Sequence, residues 1–335
     1  MKIVYVVESL EVSGGVKVII EHAEGLASRG HEVSIVTRDA RHPWIPVRVP
    51  VTEVARFDAS TIPPADVHVA TWFPTVVPTV RARLAPKIFH FSQGWEAIYP
   101  NTAHRRDEID EAYLQPVPKL LISAHLQSLF EGRYPGPYDV LPQAIRPDDY
   151  RPSGPEPGRA RRPPTVGVVG PFEADNKGIR IALAALGRLR ASGRTVRLHR
   201  ASQLPQSDAE RALLACDLYR HGASVTEMAD FYRGLDLLVH PSFEAEGFPL
   251  PPLEAMASGV PVVLTDIPSY APIARDAASF VTPGDDAAMA REAARLLDDA
   301  VLWVGRRTRG LEVARTFTID RVLDRLEEIF RQKTS

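Results

Sequence analysis

One cysteine, Cys216, occurs in 335 residues, which excludes an internal disulfide and any zinc site built from cysteines. No apolar run reaches the roughly 20 residues that cross a bilayer. The opening MKIVYVV passes straight into a turn without the layout of a signal peptide. A cytoplasmic location is therefore expected, with any membrane contact peripheral. An excess of charge of one sign is missing too: the net charge of -2 offers no bulk attraction to nucleic acid. The basic cluster RARR at 159–162 lies in a stretch that reads as a solvated linker. The ten histidines show no metal-ligand spacing with a carboxylate on one face. Asp285 with Asp286, and Asp298 with Asp299, look like acid pairs for a metal but read as helix caps or turns. No essential metal and no cofactor are expected.

What is present is ordinary globular material, 44% hydrophobic and 24% charged, in a length that suits two domains of about 150 residues. The first expectation is two lobes with a cleft between them. IVYVV at 3–7, the glycines Gly14 and Gly15, and apolar positions Val16, Ile19, Ile20, Ala23 and Leu26 read as strand, glycine loop and helix. HEVSIVT at 31–37 closes a βαβ unit. VHVAT (67–71), KIFHFS (87–92) and KLLIS (119–123) predict further strands. PSGPEPGRARRPP at 152–164 has the composition of an exposed linker. Beyond it the pattern repeats: strands at 165–170, 195–199, 235–241 and 260–265, and helices around 179–189, 208–215 and 252–258. The expected α/β architecture is two Rossmann-like doubly wound domains, of GT-B type. Domain limits are 1–155 and 163–315, with a C-terminal helix in 316–335 that is free to pack back on the first domain. That helix shows Val322, Leu323, Leu326, Ile329 and Phe330 on one face.

Ligands of open α/β sheets bind beyond the carboxyl ends of the strands, so the informative residues are those in strand-to-helix loops. EGFPLPPLEAMASGVPVV runs from Glu246 to Val263. It places one acid in a loop and a second, Glu254, at the opening of a helix. A carboxylate held there has two oxygens for the two hydroxyls of a ribose, and Glu246 then faces a sugar. Backbone N–H groups around Gly247 and Phe248 precede the helix, where its dipole favours a diphosphate. Taken alone, two glutamates at this spacing read better as a solvated helix surface, and it is the flanking residues that reverse this. Gly14 and Gly15 permit close approach of the chain to a diphosphate or sugar. Trp72, Phe73, Trp95 and Tyr99 form either an acceptor platform or simple core.

HPSFEAEGFPLPPLEAMASGVPVVLTD at 240–266 resembles the E-x7-E signature of the family 4 retaining glycosyltransferases. SGGVKVIIEHAEGLASRGHEV, LPQAIRPDDYRP, VGVVGPFEADNKG and HGASVTEMADFYRGLDLLVHPS extend the resemblance through nearly the whole chain. It implies transfer of a hexose or deoxyhexose from a nucleotide-diphosphate sugar to a hydroxyl acceptor, such as a cell-surface polysaccharide or a natural-product glycoside. The configuration is retained by a front-face route. It also implies that Lys177 contacts the donor phosphates, that Glu246 and Gln93 are catalytic, and that Glu254, Gly14, Gly15, Gly170, Gly247, Phe248, Pro249 and Leu250 bind donor. Three positions depart from the family pattern. Pro171 follows Gly170 where many members carry an arginine, leaving Arg180 or Arg200 as substitutes, though each reads better as solvent-facing. Gln93 replaces a histidine, in a Q-x-x-E setting similar to a rhamnosyltransferase-like branch, and His90 has the wrong phase to replace it. Pro249 removes an N–H from the loop. The rival readings are a catalytically silent nucleotide-sugar binding protein and a GT-B phosphorylase or epimerase.

Overall fold

The computed structural model describes residues 1–41, 45–99, 102–146, 148–152, 163–243, 247–248, 250–270, 273 and 275–332. The chain divides into two compact units, Met1–Ala144 with Ile319–Ser335, and Ile145–Thr318.

The first unit contains strands β1 (Lys2–Val7), β2 (Glu32–Thr37), β3 (Val51–Glu53), β4 (Val67–Ala70), β5 (Lys87–Ser92), β6 (Lys119–Leu121) and β7 (Tyr138–Val140). They form a parallel sheet ordered β3-β2-β1-β4-β5-β6-β7. Helices α1 (Gly14–Ser28), α2 (Phe73–Ala82), α3 (Arg106–Tyr113) and α4 (Ala124–Phe130) connect them. Ile3 to Val7 are all buried, as a central parallel strand covered on both faces requires. Ser13 starts α1 by accepting the Val16 N–H on Oγ at 3.1 Å.

The second unit repeats the plan with β8 (Thr165–Val169), β9 (Arg197–Ser202), β10 (Leu218–His221), β11 (Leu237–His240), β12 (Val262–Thr265) and β13 (Ser279–Val281). Its parallel order is β10-β9-β8-β11-β12-β13. The helices are α5 (Ile179–Ala191), α6 (Asp208–Leu213), α7 (Val225–Arg233), α8 (Leu250–Ala257), α9 (Asp286–Asp298) and α10 (Ala300–Ala314). Val168, Ile179, Leu183, Leu186, Leu198, Val239, Met289 and Leu296 share one core. Asp285 and Asp299 cap α9 and α10, accepting the N–H groups of Ala288 (2.7 Å) and Leu302 (2.9 Å). Asp286 and Asp298 instead pair with Arg188 and Arg194.

The chain then returns to the first unit as α11 (Ile319–Arg331). Its apolar face, Val322, Leu323, Leu326, Ile329 and Phe330, is buried, with the Phe330 ring 5.2 Å from that of Phe89. The division between units precedes the expected linker. Ile145 bridges to Thr318 and the Tyr150 ring lies 6.0 Å from that of Tyr232, so residues 145–152 belong with the second unit. Most of the linker itself, 153–162, lies outside the described residues. Among the described residues no helix is long and apolar enough to cross a membrane.

Candidate functional site

In each sheet the chain order reverses beside its first strand, between β1 and β4 and between β8 and β11. Such a switch point opens a crevice at the carboxyl ends of the strands. The predicted residues that are described lie on the segments that leave these ends.

In the second unit β8 runs out at Gly170, which has φ +125 and donates its N–H to Ala201 O at 2.9 Å. The chain then makes a 3-10 turn, Asp175–Lys177, closed by Gly178 with φ +61. A Cβ at Gly178 would lie 2.2 Å from the carbonyl oxygen of Pro241, just past β11. Asn176 O accepts the Phe243 N–H at 2.8 Å. The turn carrying Lys177 is thus stapled to the loop that leaves the neighbouring strand, and α5 starts directly after it. That loop leads to α8 and Glu254. Glu254 is 7% exposed and accepts a hydrogen bond from the Tyr232 hydroxyl of α7 at 2.9 Å. Burial and this carboxylate push the Tyr232 hydroxyl well above the ordinary tyrosine range, so the tyrosine stays a donor and fixes one carboxylate oxygen.

Several expectations change in detail. Glu254 sits inside α8, which already begins at Leu250 because Pro251 and Pro252 occupy its first turn, where a missing N–H costs nothing. Phe248 is buried with its ring 5.7 Å from that of Phe317. The Leu250 N–H is used by Phe248 O at 3.1 Å. Gly247 is buried as well. Glu246 and Pro249 lie outside the described residues. Arg200 does not face solvent. It is fully buried, donating to Glu210 at 2.6 Å and to the carbonyls of Val168 at 2.7 Å and Gly170 at 2.9 Å. It braces the Gly170 turn from beneath, whereas exposed Arg180 lies 4.0 Å above the Phe172 ring. A separate hollow of about 490 Å³ on this unit is lined by Asp148, Asp149, Arg151, Thr226 and Arg233, and includes neither Lys177 nor Glu254.

In the first unit Gly14 and Gly15 are the first residues of α1, not a loop before it. Gly15 O accepts from Gln93 Nε2 at 3.0 Å, and a Cβ at Gly15 would stand 3.1 Å from that nitrogen. The glycine therefore makes room for Gln93 and supplies no left-handed turn. Gln143 holds the other end of the Gln93 amide, Nε2 to Oε1 at 2.9 Å. Its segment, LPQAIRPDDYRP, stands out in the sequence, but the pairing with Gln93 does not. Phe73 and Trp95 are core, while Trp72 and Tyr99 stay partly exposed. His90 is buried, its ring tilted against that of Tyr113 with the centroids 4.6 Å apart.

Residues 163–299 match the family described as Glycosyl transferases group 1. The O-antigen chain mannosyltransferase RfbU of Salmonella typhimurium is 40% identical over 68 residues, 20% of this chain and 19% of its own length. The lipopolysaccharide core biosynthesis mannosyltransferase LpsB of Rhizobium meliloti is 37% identical over 100 residues, 28% of each chain. The matched stretches thus span only 19% and 28% of these relatives' own lengths. Among solved structures, Anabaena Alr3699/HepE in complex with UDP and glucose superposes with a TM-score of 0.80 at 15% identity, covering 99% of this chain and 100% of that one. With its two parallel sheets, its switch points and this likeness, the chain has the GT-B fold, and its residues 163–299 match Glycosyl transferases group 1.

Proposed function

We propose that the chain is a retaining glycosyltransferase that moves a sugar from a nucleotide-diphosphate donor to a hydroxyl-bearing saccharide acceptor. The observation that carries this reading is the stapled turn at the β8/β11 switch point. It presents an ammonium group at the start of α5, while the adjoining loop leads to a carboxylate oriented by Tyr232. Breaking a glycosidic bond to a nucleoside diphosphate builds negative charge on the leaving group. A lysine and a helix N-terminus held in place beforehand stabilise that charge most where it grows. Lys177 is assigned to the diphosphate and Glu254 to the ribose hydroxyls. Glu246 is assigned to the sugar, and Gly15 and Gln93, at the switch point of the first unit, are assigned to the transfer chemistry. With Glu254 on the ribose, no second carboxylate is left for a covalent double displacement. A phosphate oxygen of the donor then takes the acceptor's proton, and the charge is handled without a metal. The matched Glycosyl transferases group 1 domain supports the activity, and the UDP and glucose of the HepE complex make UDP-glucose the first donor to try. The relatives RfbU and LpsB make a mannosyl donor the second. A cytoplasmic site of action is part of this reading.

Thermal melts with a panel of UDP, GDP, dTDP and ADP sugars test it, since a ligand that binds only the folded state adds about 2.7 kcal/mol at a hundredfold excess over Kd. One donor class should raise Tm, and K177A should lose that rise and at least 100-fold in transfer rate. E254Q, which keeps an acceptor for Tyr232, should weaken donor binding with little change in the unliganded Tm. No rise with any donor, or a K177A variant as active as wild type, would refute the assignment.

A further inference from the structure

Gln93 is held by a turn with an unusual amount of buried polar chemistry behind it. Glu96, three residues on, is 5% exposed and takes a hydrogen bond on Oε2 from the Tyr113 hydroxyl at 2.5 Å. The same hydroxyl lies 3.0 Å from the Gly94 carbonyl oxygen and 2.8 Å from Ser92 Oγ, and Ser92 Oγ donates to that carbonyl at 2.7 Å. Gly94 is closed in from the other side, where a Cβ would strike the Tyr99 hydroxyl. Thr102 Oγ1 ties down the Glu96 carbonyl at 2.6 Å. Two buried side chains, Ser92 and Glu96, thus bracket the turn 93–95: Ser92 directly and Glu96 through Tyr113, they act on the Gly94–Trp95 peptide.

The proton inventory makes this arrangement two-valued, because a hydroxyl has one hydrogen to give. With Glu96 ionised, Tyr113 must donate to the carboxylate, and Gly94 O keeps only the Ser92 hydrogen. With Glu96 protonated, the carboxyl donates to Tyr113, whose own hydrogen turns to Gly94 O, so that carbonyl has two donors. We propose that Glu96 is a positioning residue for Gln93: through Tyr113 and Ser92, the proton on its carboxyl decides how firmly the Gly94 carbonyl is held, and so how the Gln93 amide is presented. The inference rests on the reading of Gln93 as a residue of the transfer site.

Other groups around the network do not duplicate the change. Burial raises the Glu96 carboxyl to about 7, and it raises Tyr113 well above the tyrosine range. His90, behind Tyr113, is held down to about 3 by burial and by Lys119, and stays neutral. Lys119 is lowered to about 8 by burial and gives its hydrogens to the carbonyls of Gln115, Val117 and Pro135, so a movement centred near 8 belongs to Lys119 and only one centred near 7 to Glu96. Tyr134, 5.0 Å from Tyr113, is pushed up to about 12, and its partner Asp110 lies below the usual carboxylate range.

The test follows two amide signals of the deuterated, nitrogen-15-labelled full chain by NMR from pH 5.5 to 8.5. These are the backbone N–H of Trp95, which shares a peptide with the Gly94 carbonyl, and the side-chain amide of Gln93. Both should titrate with one midpoint near 7 in wild type. E96Q, whose amide donates to Tyr113 as the protonated acid does, should hold both signals at their acid-side positions throughout. Y113F should stop the Gln93 signal from moving although Glu96 is still present. In transfer assays the wild-type profile of kcat/KM should bend at the same midpoint, by fivefold or more across it, and E96Q should be flat. Signals that stay fixed in wild type, or that still move in E96Q or Y113F, would overturn the inference. A chain that titrates as expected but transfers no sugar would overturn the functional reading and leave the network standing.

Discussion

A guanidinium sealed from water has to be satisfied by its neighbours. Arg200 is satisfied three times, by Glu210 and by two carbonyls at the end of β8. Removing one member of a buried ion pair strands the other and costs about 3–5 kcal/mol, whereas replacing both by apolar residues is often neutral. R200M should therefore lower the urea-denaturation free energy by about that amount, and R200M with E210M should restore most of it. The double variant would still lack the donor to Gly170 O, so its donor KM should stay raised after its stability returns. This side chain also explains a misreading of the sequence. An arginine after TVRLH reads as the solvent-facing end of a strand, yet β9 runs on to Ser202. A charge is recognisable as buried only when its partner is known, and Glu210 arrives on a different helix.

Elements depend on single residues where backbones meet. Gly178 joins two constraints, a left-handed φ of +61 and a Cβ that would overlap the Pro241 carbonyl at 2.2 Å, a backbone atom that cannot turn aside. G178A should cost roughly 2–4 kcal/mol from the two penalties together, read as a shift in urea midpoint. Gly187 offers the contrast on the same helix α5: a Cβ there meets nothing within 4 Å. G187A should stabilise by about 0.5–1 kcal/mol. The long buried strands and helices such as α1, α5 and α11 are legible as periodic apolar patterns. The short strands β3, β7 and β10 are not, because their residues are partly buried or exposed and show no apolar run. Helix α2 is hidden by Pro74 and Pro78, which it accommodates at its second position and in its interior.

At the scale of the whole chain, the return of α11 makes the first unit discontinuous. Gly25 of α1 lets Leu323 approach to 2.5 Å of where its Cβ would be, and Arg29 pairs with Asp324 at 2.6 Å. Five apolar side chains of α11 are buried there, at about 1.5–3 kcal/mol each, comparable to the ~5–15 kcal/mol that holds a domain together. A chain ending at Thr318 should lose the calorimetric transition of the first unit while keeping that of the second. A single transition at the wild-type temperature would contradict this. From its order of residues alone the chain declared two doubly wound α/β domains, a terminal amphipathic helix, and the segments after the strands that bear Lys177, Glu254, Gly15 and Gln93. These follow from local periodicity and from motifs, which are written in adjacent positions. Only folding decided that Gln93 docks on Gly15 and Gln143, that Glu96 accepts the Tyr113 hydroxyl, and that Arg200 goes inside. Such pairings join residues from distant elements, and burial alone determines whether a polar group must find a partner.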